Sequence, residues 1–413
     1  MIGEIIAIGD ELIAGRINNT NSGYAAQHLH AAGHTIRSIH TIGDSLELIG
    51  SALTCSLNRA DFVIVTGGLG ATTDDLTNDA VIRALKVKGG VNQQVVASVN
   101  KRHPNLSAQQ QEAVEKLAWL PENAEILDDT YRMAGYLLPY EGKPLFFLPG
   151  VPPQMETLLV DKVLPALKKW YPQTDVVVRQ ELYRTFGLPE TEVNNRLVEL
   201  EEIQGVQIGY YPVSCEVHVS LTIRAATTDG AEQLFAETDA SIRKLLGVYM
   251  YATGQKSLAE VVGELMVEKA PGKLMCTAES CTGGLISSTI TQIPGSSSWF
   301  AGGVVAYSNA LKESLLGVDQ ALLRNYGAVS PQSARAMAAR LAAKLKCKTA
   351  VSVTGIAGPG GGSEEKPVGT VYIGLFHNDK VSETLYNFSG NRHQIQEKTA
   401  LTALDTVRRA LLL

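Results

Sequence analysis

Long apolar runs are missing from this chain. None approaches the about 20 residues that a membrane-spanning helix needs, so no spanning segment is expected. The first eight residues carry neither the basic cluster nor the apolar stretch of a secretory leader, and a first β-strand is expected there instead. Cysteine is scarce: Cys55, Cys215, Cys276, Cys281 and Cys347 are odd in number and contain no CxxC pair. That argues against a disulfide framework or a zinc knuckle, and for a reducing cytoplasm. Positive charge is not in excess. The formal net charge is -6 with Lys and Arg scattered, so nucleic acid is not an expected partner. Three fingerprints are also absent: the G-x-G-x-x-G of dinucleotide sites, a G-x-S-x-G elbow, and an S-x-x-K box at Ser280.

What is present is enough apolar material for ordinary cores. Hydrophobic residues make up 45% of 413, and that length predicts two or three domains. Residues 1–170 alternate strand and helix signals: strands at 4–8, 35–41, 61–66 and 144–148, helices at 21–32, 46–58 and 154–169. This rhythm predicts a mostly parallel, three-layer α/β domain. Residues 171–252 read as a small α+β module, with strands at 175–184, 207–210 and 216–225 and helices at 190–201 and 230–246. A nucleotide-clamping GxxG loop is absent there; the nearest pattern, 205–209, has the wrong spacing. Residues 253–413 return to α/β, with helices at 258–269, 285–293, 310–316, 320–326, 331–345 and 393–411. Strands are expected at 302–307, 349–356 and 370–376, after a short apolar run at 273–276.

Two regions carry candidate chemistry. In the last domain, Thr277-Ala278-Glu279-Ser280-Cys281-Thr282-Gly283-Gly284 links an apolar run to a helix. A serine on such a turn is expected to be exposed beside free backbone N–H groups, which suits a nucleophile or a phosphate site. It needs a base, and Lys312 in Tyr307-Ser308-Asn309-Ala310-Leu311-Lys312 can serve if burial lowers its pKa. The pattern alone leaves two readings open: a Ser-Lys pair, or an N-cap serine and a solvated helix lysine. Cys281 reads as a buried structural thiol. Thr354 ends a strand before a glycine-rich loop, and Arg392 stands just before the last helix, where its fork suits a phosphate or carboxylate; the other reading is a surface salt bridge.

In the first domain, Gly9-Asp10-Glu11 and Gly67-Gly68-Leu69-Gly70 with Asp74-Asp75 stand at two strand ends, where ligands of open α/β sheets bind. Glycines admit a phosphate, Thr72 offers a hydroxyl, and Asn21 and Asp44 can join the cleft. Carboxylates beside a phosphate imply a bridging divalent cation at Asp10, Asp44, Asp74 and Asp75. The other reading makes Asp10, Asp74 and Asp75 helix caps and turn residues.

Taken as motifs, these residues resemble the competence/damage-inducible CinA family from end to end. TAESCTGG (277–284), YSNALK (307–312), the run 353–362 and EKPVGTV (365–371) are similar to nicotinamide-nucleotide amidases. GDELIAG (9–15), TNS (20–22), TGGLG…DD (66–75) and LPGVPPQM (148–155) resemble the molybdopterin-binding-like domain, and the middle module the family's KH-like module. The chain departs from the family at Gly70-Ala71 (usually Gly-Pro), at 128–135 and at Asn391 (usually Asp).

The resemblance implies hydrolysis of the carboxamide of nicotinamide mononucleotide to nicotinate mononucleotide and ammonia. Ser280 would be the nucleophile, Lys312 its base and Tyr307 part of the catalytic group, with no cofactor. Thr282, Gly283, Asn309, Thr354, Gly355 and Arg392 would shape or bind the nucleotide. For the first domain it implies a metal-dependent ADP-ribose pyrophosphatase, with Gly67, Gly68, Gly70, Thr72 and Asn21 on the substrate. A homodimer is expected. The competing reading is a non-catalytic nucleotide-, pterin- or partner-binding protein tied to competence or DNA repair.

Overall fold

The computed structural model describes residues 1–128, 130–132, 134–172 and 177–413. It divides into two compact units. One comprises Met1–Arg179 with Arg224–Glu232, the other Gln180–Ile223 with Gln233–Leu413. The middle module therefore groups mainly with the C-terminal domain. Among the described residues no helix is long and apolar enough to cross a membrane.

The first unit is built on a six-stranded sheet. Its strand order is Thr35–Ile42, Ile2–Ile8, Phe62–Thr66, Lys143–Leu148, Tyr136–Tyr140, Glu125–Ile126. The first four strands are mutually parallel, and the next two pair antiparallel. Strand residues alternate between two apolar cores. Ile6, Val63, Val65 and Phe147 pack with the helix Leu46–Leu57, whereas Ile5, Phe62, Ile64 and Phe146 pack with the helix Thr20–Ala31. A parallel strand covered on both faces has no polar face, which is why 61–66 reads as an unbroken apolar run. The expected single helix 154–169 is instead α-helix Pro152–Leu158, a π turn Leu159–Val163, and α-helix Leu164–Trp170.

In the second unit a four-stranded sheet runs in the order Val206–Val213, Glu216–Ala225, Val177–Phe186, Met250–Thr253. Residues 175 and 176 of the expected strand lie outside the described residues. The C-terminal domain carries a five-stranded sheet in the order Phe300–Val305, Met275–Glu279, Thr349–Gly355, Thr370–His377, Lys380–Asn387. The first three strands are parallel and the last two antiparallel. Helices cover both faces: Leu258–Lys269 and Arg392–Leu411 on one side, Pro331–Leu345 on the other. Three parallel strands thus end at one edge of the domain, where their following loops meet.

Candidate active site

The nucleophile strand is longer than the apolar run suggested, because Thr277 and Glu279 find partners inside. Thr277 Oγ1 lies 2.7 Å from Ser287 Oγ. The Glu279 carboxylate, fully buried, accepts hydrogen bonds from Thr282 Oγ1 (2.7 Å), Gly284 N (3.1 Å), Ile286 N (3.1 Å), Ser287 N (2.8 Å) and Ser287 Oγ (2.6 Å). A carboxylate against the first N–H groups of a helix is favoured both by those bonds and by the helix dipole. Glu279 therefore ties the strand end to the helix Leu285–Thr291 and fixes the loop between them. The loop needs its glycines: Gly283 and Gly284 sit at φ +63° and +102°, in the left-handed region.

Ser280 lies on this loop. It is 8% exposed, so the expected exposed serine is in fact nearly covered. The helix that follows is capped by Gly284, which excludes the N-cap reading of Ser280. Its own N–H is spent on the Val353 carbonyl at 3.1 Å.

Lys312 comes from the neighbouring parallel strand. Val305 pairs with Glu279, and the chain then enters the short helix Asn309–Ser314, which Ser308 caps. This turns Lys312 inward to 1% exposure and brings Nζ to 2.9 Å from Ser280 Oγ, 2.9 Å from the Ala306 carbonyl and 3.3 Å from the Tyr307 carbonyl. The solvated-lysine reading is overturned. Burial pulls the Lys312 pKa below its ordinary 10.5. Among the described residues no carboxylate forms an ion pair with it. A neutral amine has two N–H groups and one lone pair. The two carbonyls take N–H groups, and the Ser280 hydroxyl takes the third N–H of an ammonium or, opposite the neutral amine, faces the lone pair that can receive its proton.

The other residues take varied places. Cys281 is buried, and burial pushes its thiol up to about 12, so it is a neutral packing group. Tyr307 is exposed, and its phenol oxygen accepts from Arg392 Nη2 at 3.0 Å. Arg392 also donates to the Gly358 carbonyl at 2.7 Å. Thr282 spends its hydroxyl on Glu279, and Thr354 donates to the Ala328 carbonyl at 2.8 Å. Asn309 is exposed on the first turn of its helix, Gly283 is exposed, and Gly355 is half-buried. Sequence reasoning missed two residues at the site: Glu279, which lies inside the 277–284 motif, and Gln396, which lies in none and whose Nε2 donates to the Cys281 carbonyl at 2.8 Å.

The first unit holds a cleft of ≈ 540 Å³ lined in part by Gly67, Gly68, Gly70, Asp44, Asp74 and Asp75. Asp10, Thr72 and Asn21 are not part of its wall. Asp10 and Asp44 each accept the other's backbone N–H, at 3.1 and 2.8 Å. Burial raises the Asp44 pKa, and the Asp10, Glu11 and Asp74 charges add to that. Asp75 accepts from the Thr72 N–H and hydroxyl, as a turn residue does. Asn21 Nδ2 ties Thr66 Oγ1 (3.1 Å) to the Gly150 carbonyl (2.9 Å). Among the described residues no three His, Cys, Asp or Glu side chains are grouped to hold a metal ion. The donor set does not fit a cation held by protein ligands alone.

Comparison with known proteins adds three family matches in chain order. Residues 4–169 match "Probable molybdopterin binding domain", 180–252 "Damage-inducible protein CinA KH domain", and 255–411 "CinA C-terminal domain". A CinA-like protein of Desulfotalea psychrophila is 47% identical over 411 residues, covering 99% of this chain and 98% of that one. A CinA-like protein of Kosmotoga olearia is 37% identical, covering 100% and 99%. The crystal structure of competence/damage inducible protein CihA from Agrobacterium tumefaciens is 39% identical, with a TM-score of 0.36; it covers 38% of this chain and 98% of its own.

Proposed function

Because the chain belongs to the CinA family, we propose that its C-terminal domain is a Ser-Lys amidohydrolase acting on nicotinamide mononucleotide. The observation that carries this reading is the buried Lys312 Nζ, 2.9 Å from Ser280 Oγ and without a carboxylate partner among the described residues. Neutral Lys312 takes the serine proton as Oγ attacks the carboxamide carbon. The tetrahedral intermediate collapses, ammonia leaves with the proton that Lys312 returns, and a nicotinoyl ester remains on Ser280. Water, deprotonated by Lys312, then releases nicotinate mononucleotide. Arg392 and the glycine-rich loop after Thr354 supply an anchor for the nucleotide's phosphate. All five cysteines are free thiols, which supports a cytoplasmic setting.

A second reading concerns the first unit alone. The size of its cleft and its glycine-lined wall favour a nucleotide diphosphate such as ADP-ribose. Any divalent cation would arrive with the phosphates rather than reside on the protein. Both readings are tested by one assay: ammonia release from nicotinamide mononucleotide and cleavage products from ADP-ribose, each with and without chelator. The amidase reading predicts ammonia release that chelator leaves unchanged. Absence of ammonia with folded protein would refute it.

A further inference from the structure

The turn that carries Ser280 is held from a second direction. Gln396, half-buried on the helix Arg392–Leu411, donates to the Cys281 carbonyl across 115 residues of sequence. A peptide unit is planar and trans, so fixing that carbonyl aims the Thr282 N–H the opposite way.

The backbone donors of the turn can be accounted for one by one. Ser280 N–H goes to Val353, Gly283 N–H to Ser280, and Leu285 N–H to Thr282. Gly284, Ile286 and Ser287 N–H go to Glu279. Among the described residues this leaves the N–H groups of Cys281 and Thr282 without a carbonyl or carboxylate partner. Both lie against the Cys281 sulfur, a weak acceptor when neutral. Native turns rarely keep buried donors so poorly matched, and such a pair suits an acceptor that forms only during reaction.

We infer that the Thr282 N–H receives the oxyanion when Ser280 attacks, and that Gln396 is the positioning residue that aims it. As the Oγ–C bond forms, the carbonyl π pair moves onto oxygen and the serine proton moves to Lys312 Nζ. The inference rests on Ser280 as nucleophile and is independent of which amide or ester is cleaved.

The test uses the full chain and two readouts. One is the rate of covalent labelling of Ser280 by a fluorophosphonate, followed by intact mass. The other is ammonia release from nicotinamide mononucleotide. Gln396→Met keeps the side chain's length and removes the donor. It is expected to slow labelling and kcat by about 10- to 100-fold, somewhat less than deletion of an oxyanion donor, with KM changed by less than about twofold. Gln396→Glu keeps the shape, opposes the carbonyl with a charge, and is expected to be at least as slow. It decides the matter if the Met variant loses its thermal transition. Labelling and turnover at the parental rate in these variants would overturn the inference. Parental protein that is labelled at Ser280 but releases no ammonia would sink the substrate assignment, while the labelling rates still decide on Gln396. Parental protein unlabelled at Ser280 would overturn both.

Discussion

Replacing Glu279 by Gln isolates what holds the nucleophile turn. The carboxylate accepts five hydrogen bonds at 2.6–3.1 Å from a fully buried position. In the amide, one oxygen becomes a donor. If the new NH₂ faces Gly284 and Ile286, two backbone N–H groups are orphaned. If it faces Ser287, only one is, because the Ser287 hydroxyl can rotate to accept. The second arrangement is cheaper and costs about 1–3 kcal/mol for the unpaired N–H. Loss of the charge at the helix N-terminus adds about 0.3–1 kcal/mol, up to ~2 in a buried setting. The sum is near 3 kcal/mol. For a domain of this size that lowers the melting temperature by roughly 6–12 °C. Calorimetry on the full chain reads it as a shift of the second unit's transition, with the first unit's transition in place. A fall smaller than about 2 °C would refute the role given to Glu279.

Other outcomes follow from the same geometry. Burial lowers the Lys312 pKa from 10.5, and the active form is the neutral amine, so kcat/KM should rise with pH through the lowered value and level off below 10.5. A pH–rate profile without that ascending limb would contradict it. By linkage, the folded state holds fewer protons on Lys312 than the unfolded chain between the lowered pKa and 10.5. This residue's contribution to stability is therefore smallest below that window and grows as pH rises through it, a trend that denaturant melts should show and that Lys312→Met should flatten. The same variant should cut ammonia release by at least about 10³-fold while keeping the native circular dichroism. Gly284→Ala places a Cβ 3.3 Å from Val305 Cγ2 at φ +102° and should cost about 1–2 kcal/mol in a chemical melt. In the first unit, Asn21→Leu removes the side-chain donor to the Gly150 carbonyl and one of the two bonds of the Thr66 hydroxyl, which keeps the Pro149 carbonyl, and should lower that unit's stability by about 1–3 kcal/mol.

Much of the architecture was readable because buried parallel strands leave a strong mark. Phe62–Thr66 and Thr349–Gly355 are buried on both faces and rich in β-branched residues, and most helices between them have caps or periodic faces. Lys380–Asn387 escaped because an edge strand with alternating exposed residues resembles a polar loop. The helices Gln93–Arg102 and Ala108–Leu117 escaped for a related reason. Between them they bury only Val114 fully, so they lack an apolar stripe. At the site, the motif located the turn but misjudged its burial. Whether Lys312 is solvated or buried depends on how two parallel strands pair, which spacing along the chain cannot express. Glu279 has no assignable role along the chain until the helix N-terminus that it caps is seen. Gln396 lies 115 residues from the carbonyl it holds, one helical turn after Arg392, and shows no pattern of its own.

The central claim is that Ser280 is the nucleophile of an amide hydrolysis driven by Lys312. Its most direct test is ammonia release from nicotinamide mononucleotide by the parental chain and by Ser280→Ala, at equal concentration and with matched melting curves. The account predicts release by the parent and a loss of at least about 10³-fold in the variant. Release by Ser280→Ala at the parental rate would contradict it.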